Sequence, residues 1–238
     1  MHAEIHEEIM PLDIIGPIML FMADKATVPV CVHLDHGISL DYLKKALDIG
    51  FTSVMYDGSE LDYETNYSNT CIAVEMAKRY GASVEAEIGC MGSRETGAGG
   101  SKGCVSNEGI YTDPEVAKQF VENTGIDALA CAFGTAHGLY TKQPKLDFEL
   151  VERINSLVNV PLVMHGGSGV SQNDYTKAVS CGIRKINYYT YMSKAGGKVI
   201  NDAKKDLIFY HDIVSLAIDA MKSDAKNAIS IFSREAKN

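Results

Sequence analysis

Val28-Pro-Val-Cys-Val-His-Leu-Asp-His-Gly37 is an apolar, β-branched run that ends abruptly in Asp35, His36 and a glycine. Too few apolar residues for a stable helix, with valine at alternate positions, predict a buried parallel strand over Val28 to Leu34. A strand that turns polar at its carboxyl end delivers chemistry there, because α/β sheets place their sites at that edge. Asp35 and His36 are therefore the first candidate site residues. Taken alone, the same residues also fit a helix cap and a turn, with His33 as a hydrogen-bonded core histidine. The later histidines decide between the two.

Working outward, Leu12, Ile15, Ile18, Met19 and Met22 fall at helical spacing within Pro11 to Ala26. On the other side, Ser39 caps a helix through Leu47 that Gly50 closes, and Thr52 to Tyr56 is a short strand ending in Asp57-Gly58-Ser59. A helix over Tyr63 to Tyr80 leads to a strand, Ser83 to Ile88, that carries Glu85 and Glu87. Gly89 to Gly109 is long, irregular and rich in glycine and serine, which suits a lid or a disordered connection. Asp113-Pro114 opens the next helix as an N-cap followed by proline. Then come a strand at Ala128 to Phe133, a helix at Phe148 to Val158, a strand at Val160 to Met164, a helix at Gln172 to Cys181 and a strand at Arg184 to Asn187. Helices at about Ser193 to Lys205 and Asp212 to Ser233 finish the chain.

Strict β-then-α alternation gives either an open doubly wound sheet or a closed barrel. No G-x-G-x-x-G follows the first strand. Polar residues end several different strands, which favours an α/β fold of the TIM (β/α)8 type, here with about six of its eight strands.

The 238 residues are 46% hydrophobic and 22% charged, enough for one large domain. A net charge of −9 argues against nucleic acid or an anionic membrane as partner. The six cysteines show no C-x-x-C pair, and no secretory leader is recognised, so they read as reduced thiols of a cytoplasmic protein. The apolar run Ile14 to Met22 is too short to span a bilayer.

The strand ends together contribute Asp35-His36, Asp57, Glu87, Phe133-Gly-Thr-Ala-His137-Gly138, Met164-His-Gly-Gly-Ser-Gly169 and Asn187 to Thr190. Three histidines at three strand ends converge on one mouth, and three imidazoles with an open fourth position form a catalytic zinc arrangement. His165-Gly-Gly-Ser-Gly169 before a helix offers backbone N–H groups that bind phosphate. Neither Lys102 nor Lys142 lies inside a strand, where a Schiff-base lysine is expected.

These segments, with Ser53-Val-Met-Tyr-Asp-Gly58, Val84-Glu-Ala-Glu-Ile-Gly89 and Lys185-Ile-Asn187, make the chain similar to the class II, metal-dependent ketose-bisphosphate aldolases from about Pro11 onward. The resemblance implies a Zn2+ ion on His36, His137 and His165, with Asp57 and Glu87 at a second or alternate metal position. It implies Asp35 as the acid/base at the hydroxyl of the reacting bond. Gly92-Ser-Arg-Glu95 aligns with the family's Gly-Gly-x-Glu, so Glu95 becomes the base at the ketone's carbon, carried on a flexible loop, 89–109. Gly138, Gly166, Gly167, Ser168, Asn187, Tyr188, Tyr189 and Thr190 bind the dihydroxyacetone phosphate half in that reading.

The resemblance further implies one aldolase domain over residues 1–238 that lacks the family's first strand, first helix and second strand, working as a homodimer or homotetramer. The activity implied is cleavage or formation of fructose or tagatose 1,6-bisphosphate. Breaking a carbon–carbon bond beside a ketone leaves an enediolate, whose charge zinc accepts as a Lewis acid. Two other readings stay open: a metal-dependent lyase or epimerase on another sugar phosphate, and a catalytically silent subunit.

Overall fold

The computed structural model describes residues 4, 7–8, 10–89, 92–93, 111–137, 144–203 and 209–233, with the backbone alone at 92–93 and 136–137. Six strands form one parallel sheet: β1 (His33–Gly37), β2 (Ser53–Tyr56), β3 (Ser83–Ile88), β5 (Ala128–Cys131), β7 (Leu162–Met164) and β8 (Ile183–Ile186), paired in chain order. Two short strands, β4 (Gly92–Ser93) and β6 (Ala136–His137), form a separate parallel ladder beyond β3 and β5. Helices α1 (Leu12–Lys25), α2 (Leu40–Ile49), α3 (Tyr63–Lys78), α4 (Pro114–Thr124), α5 (Phe148–Leu157), α6 (Gln172–Cys181), α7 (Thr190–Ala203) and α8 (Tyr210–Phe232) complete the described elements.

Local chemistry sets the helix ends. Ser39 Oγ accepts from Tyr42 N at 3.2 Å to start α2, and Gly50 at φ 111° ends it in the left-handed region. Asp113 accepts from Glu115 N and Val116 N ahead of Pro114. A carboxylate from before α1 also reaches α2: Glu4 Oε2 accepts from Ile38 N at 2.8 Å and Ser39 N at 3.2 Å.

Because side chains alternate along a strand, each strand has a helix-facing and an inward-facing set. Leu34, Val54, Tyr56, Val84, Ala86, Ile88, Leu129, Cys131, Leu162, Met164 and Ile183 pack with the helices in one core. The inward set carries the polar residues His33, Asp35, Ser53, Glu85, Glu87 and Lys185, with His165 just past β7, beside the apolar Met55, Ala130 and Val163. The sheet curls around that set until its two end strands face each other. β1 and β8 do not pair, yet Asn187 Nδ2, just past β8, donates to Asp35 Oδ1 at 2.9 Å. The result is an incomplete TIM barrel of six strands.

The structure shortens the first strand. Residues 28–32 are not strand: Val28 is 65% exposed and Val30 49%, and the β1–β2 ladder begins at His33 opposite Ser53. The β-branched pattern is there, but only Val32 reaches β2, its oxygen accepting from Thr52 N and Ser53 N, and 28–31 have no backbone ladder among the described residues. Similarly β5 stops at Cys131, where a strand to Phe133 was expected, and Phe133 bridges antiparallel to Tyr111 instead. α7 begins at Thr190, ahead of the expected Ser193. Apart from Gly89 and the backbone of 92–93, the segment read as a flexible loop, 89–109, lies outside the described residues.

One hydroxyl stitches this region to the barrel. Buried Thr112 Oγ1 donates to Ile88 O at 3.0 Å and accepts from Ala132 N at 2.8 Å. Thr112→Val keeps the shape and strands both backbone groups. Urea unfolding of this variant is expected to show a loss of about 1–3 kcal/mol, and an unchanged midpoint would remove the hydroxyl from this role.

Candidate active site

β1 carries the first two site residues in an irregular way. Its register slips between Leu34 and Gly37 against β2, and His36 has φ 52°, the one non-glycine residue in the left-handed region among those described. In a regular strand Asp35 and His36 would face opposite sides of the sheet. The bulge turns both toward the interior, at the strain typical of functional positions. Asp35 Oδ1 then lies 3.8 Å from His36 Nε2.

His36 Nδ1 meets Asp57 Oδ2 at 2.6 Å, past the end of β2, and Asp57 Oδ1 accepts from Ser59 N and Oγ. The other ring nitrogen, Nε2, faces His165 Nδ1 from the end of β7 at 2.8 Å. The two rings stand edge to face at 86°, centroids 4.5 Å apart. His165 Nε2 meets Glu85 Oε1 at 2.8 Å. The Asn187 amide nitrogen lies 3.1 and 3.3 Å from the two His165 nitrogens.

Glu87 points into the same space. It is 2% exposed, and its Oε2 has no hydrogen-bond partner among the described residues while lying 3.9 Å from His165 Nδ1. Its backbone oxygen is tied down by Asn66 Nδ2 at 2.9 Å. Such an orphaned carboxylate oxygen is costly unless a proton or a cation meets it.

The electrostatics agree. Burial pushes the Glu87 carboxyl well up, helped by the nearby charges of Asp57, Glu85 and Asp35. For Glu85 burial acts the same way, but the hydrogen bond from His165 and the charge of Lys185 bring it down to about 2. Burial also opposes ionisation of Asp35 and Asp57, and there the histidines, chiefly His36, outweigh it and hold both carboxylates low. Burial disfavours a charged His36, yet the Asp57 hydrogen bond and the surrounding carboxylates raise it. His33 is pushed down to about 4 by burial and by Lys185, so it is neutral.

Two overlapping groups have the donor set of a metal site, Asp35 with His36 and His165, and His36 with Asp57 and Glu87, each with ligand atoms within 4.8 Å of one another. Nitrogen and carboxylate oxygen are the donors that divalent transition ions take. Each histidine has its outer nitrogen on a carboxylate, the arrangement that turns the inner nitrogen toward the centre where a cation would be held. The residues fit a metal.

Past these side chains, the turns after β7 and β8 touch. Asn187 N donates to Met164 O at 2.9 Å and Tyr189 N to Ser168 Oγ at 3.3 Å. Gly167 is packed so closely that a Cβ would stand 3.1 Å from Asn187 O. Thr190 is the first residue of α7, and Tyr188 OH donates to Asp224 Oδ1 of α8 at 2.8 Å.

Asp35, His36, Asp57, Glu87, His165 and Asn187 thus come together, with Gly166, Gly167, Ser168, Tyr189 and Thr190 grouped at the adjoining turns. The backbone of His137 pairs with Ser93 in the outer ladder, while its side chain lies outside the description, as do Gly138 and Glu95. Two residues went unread in the sequence. Glu85 shares the inward face with Glu87, and a Glu-x-Glu alternation in an apolar strand is the signal. Lys185 lies inside β8, a lysine within a strand. Its Nζ is 2.8 Å from Glu85 Oε2, 2.9 Å from Asn187 Oδ1 and 3.5 Å from His33 Nε2.

Comparison with known proteins agrees with this geometry. The chain is 41% identical to the protein YdjI of Escherichia coli K12 over 223 residues, 92% of this chain and 76% of that one. It is equally 41% identical to a fructose-bisphosphate aldolase of Staphylococcus aureus over 209 residues, 87% of this chain and 71% of the relative. The crystal structure of the E. coli YdjI aldolase superposes with a TM-score of 0.83 at 37% identity, covering 97% of this chain and 80% of that one. No helix among the described residues is long and apolar enough to cross a membrane. Since the family model for class-II fructose-bisphosphate aldolase matches residues 2–237, the chain belongs to that family of carbon–carbon-cleaving enzymes.

Proposed function

We propose that this protein catalyses the reversible aldol cleavage of a ketose 1,6-bisphosphate, fructose or tagatose, to dihydroxyacetone phosphate and glyceraldehyde 3-phosphate. The observation that carries the reading is the pair of imidazole nitrogens, His36 Nε2 and His165 Nδ1, facing each other beside the orphaned Glu87 oxygen. Zn2+ is the ion proposed, with His36, His165 and, from the family resemblance, His137 as its ligands. Glu87 would supply an alternate ligand. Asp57 serves the site through its bond to His36 Nδ1, and it lies within reach of a second metal position as well. A divalent ion there polarises the substrate ketone and takes up charge as the bond breaks.

The remaining work falls to the chain's own groups. Asp35, ionised and held by the Asn187 amide, is the acid/base at the hydroxyl oxygen of the reacting bond. Backbone N–H groups of the turns at Gly166 to Ser168 and Asn187 to Thr190, with Gly138, bind the phosphate of the ketone half; the start of α7 adds its dipole. Tyr188 and Tyr189 shape that pocket. Glu95 is the base that removes the proton from the ketone's carbon, on a loop that excludes water around the carbanion. The family resemblance extends the reading to a cytoplasmic homodimer or homotetramer.

Dialysis against a strong chelator is expected to abolish cleavage of fructose and tagatose bisphosphates, with recovery on adding Zn2+; activity that survives complete metal removal defeats the metal reading. Asp35→Asn should lower kcat by roughly 10²–10⁴-fold at unchanged metal content, measured by coupled assay and elemental analysis. Glu95→Ala should stop exchange of the carbon-bound proton of dihydroxyacetone phosphate with solvent, followed by NMR in D2O, again with metal retained. Normal exchange in that variant would move the base elsewhere.

A further inference from the structure

The ion pair between Lys185 and Glu85 lies beneath the histidines and has no part in the chemistry above. Glu85 is buried and divides its two oxygens: Oε1 meets His165 Nε2 at 2.8 Å and Oε2 meets Lys185 Nζ at 2.8 Å. A lysine ammonium only donates, so the oxygen facing it must accept. A carboxylate also only accepts, so its 2.8 Å partner, His165 Nε2, carries a proton. His165 Nδ1, facing His36, is thereby left with a lone pair. The Asn187 amide nitrogen, a donor already on Asp35 Oδ1 that lies 3.1 Å from Nε2 and 3.3 Å from Nδ1, finds that lone pair at Nδ1.

Resting on the metal reading of this site, we propose that Glu85 is a positioning residue that fixes the tautomer of His165, and that Lys185 fixes Glu85 in turn. The pair reaches from β8 to β3 and acts on the residue ending β7, so three strands set one imidazole. Lys185 is in this reading the group that makes Glu85 irreplaceable by its amide. In Glu85→Gln the amide has one accepting oxygen and one donating NH2. Lys185 claims the oxygen, the NH2 turns to His165 Nε2, and the ring proton moves to Nδ1, where it blocks a cation. Without Lys185 the amide is free to turn its oxygen back to His165.

Three measurements test this. In the metal-free wild type, long-range 1H–15N NMR of His165 is expected to find the proton on Nε2, and finding it on Nδ1 overturns the proposal without recourse to any variant. In Glu85→Gln the proton should move to Nδ1 and Zn2+ affinity, by competition with a chelating indicator, should fall roughly 10–100-fold. In Glu85→Gln combined with Lys185→Met, the proton should return to Nε2 and most of the lost affinity with it. A general loss of packing would instead weaken the double variant further, and that result overturns the role given to Lys185. Glu85→Gln that binds Zn2+ as tightly as wild type overturns the role given to Glu85. A wild type whose Zn2+ affinity is unaffected by His36→Ala or His165→Ala sinks the metal reading instead, while the tautomer measurement still decides the role of Glu85.

Discussion

The hydrogen bond from Asn187 to Asp35 joins the last parallel strand of the sheet to the first, across a gap that no backbone ladder fills. The inward face explains why the sheet curls that far. Its side chains include Glu85 and Glu87, which are buried, and His33, Asp35 and Lys185, which are half-buried, and each must find a partner from another strand or remain desolvated. Glu85 on β3 finds Lys185 on β8, and His33 on β1 finds Ser53 on β2 and approaches Lys185. In a flatter sheet the end strands would separate and these contacts would be lost. The polar interior and the curvature therefore support each other, while the apolar helix-facing set supplies the burial that stabilises both.

Within that frame the bulge in β1 is the decisive local departure. Regular alternation allows one of two adjacent residues to point inward, and this site uses both Asp35 and His36. The left-handed φ of His36 is the means, and the contacts around it hold the strain: Asp57 N on Gly37 O at 2.9 Å, Asp57 on the His36 ring, and Glu4 on the amides of Ile38 and Ser39. The residue that most needs exact placement is also the one whose backbone is most constrained by its surroundings.

Much of this was legible in the sequence, for physical reasons that differ by residue. Capping chemistry is local, so Ser39, Gly50 and Asp113-Pro114 marked helix ends that the structure keeps. Polar residues closing apolar runs marked the mouth, and His36 and His165 do meet there, though 129 residues apart in sequence. The failures are of tertiary origin. Val28 to Cys31 has the composition of a strand but no ladder partner among the described residues, and pairing is not written in a single segment. Lys185 stood out only as part of the family-like segment Lys185-Ile-Asn187, and only the curl of the sheet shows that it turns inward to Glu85. The bulge at His36 was invisible because histidine is not a residue that advertises a positive φ.

The charge pattern of the centre argues for what it is built to receive. Asp35, Asp57, Glu85 and Glu87 converge on a space where, among the described residues, Lys185 is the one lysine bonded to any of them, and it is engaged by Glu85. The two histidines cannot both present bare nitrogens at 2.8 Å without something positive between them. Against the cost of its burial, the surrounding carboxylates favour a charged His36, and burial with the neighbouring carboxylates disfavours a charged Glu87. A divalent ion held by His36, His165 and Glu87 would give the orphaned Glu87 oxygen a partner and offset the gathered negative charge. Histidine nitrogens and carboxylate oxygens within 4.8 Å of one another give this centre the donor set that a divalent cation takes, apart from any likeness to other proteins.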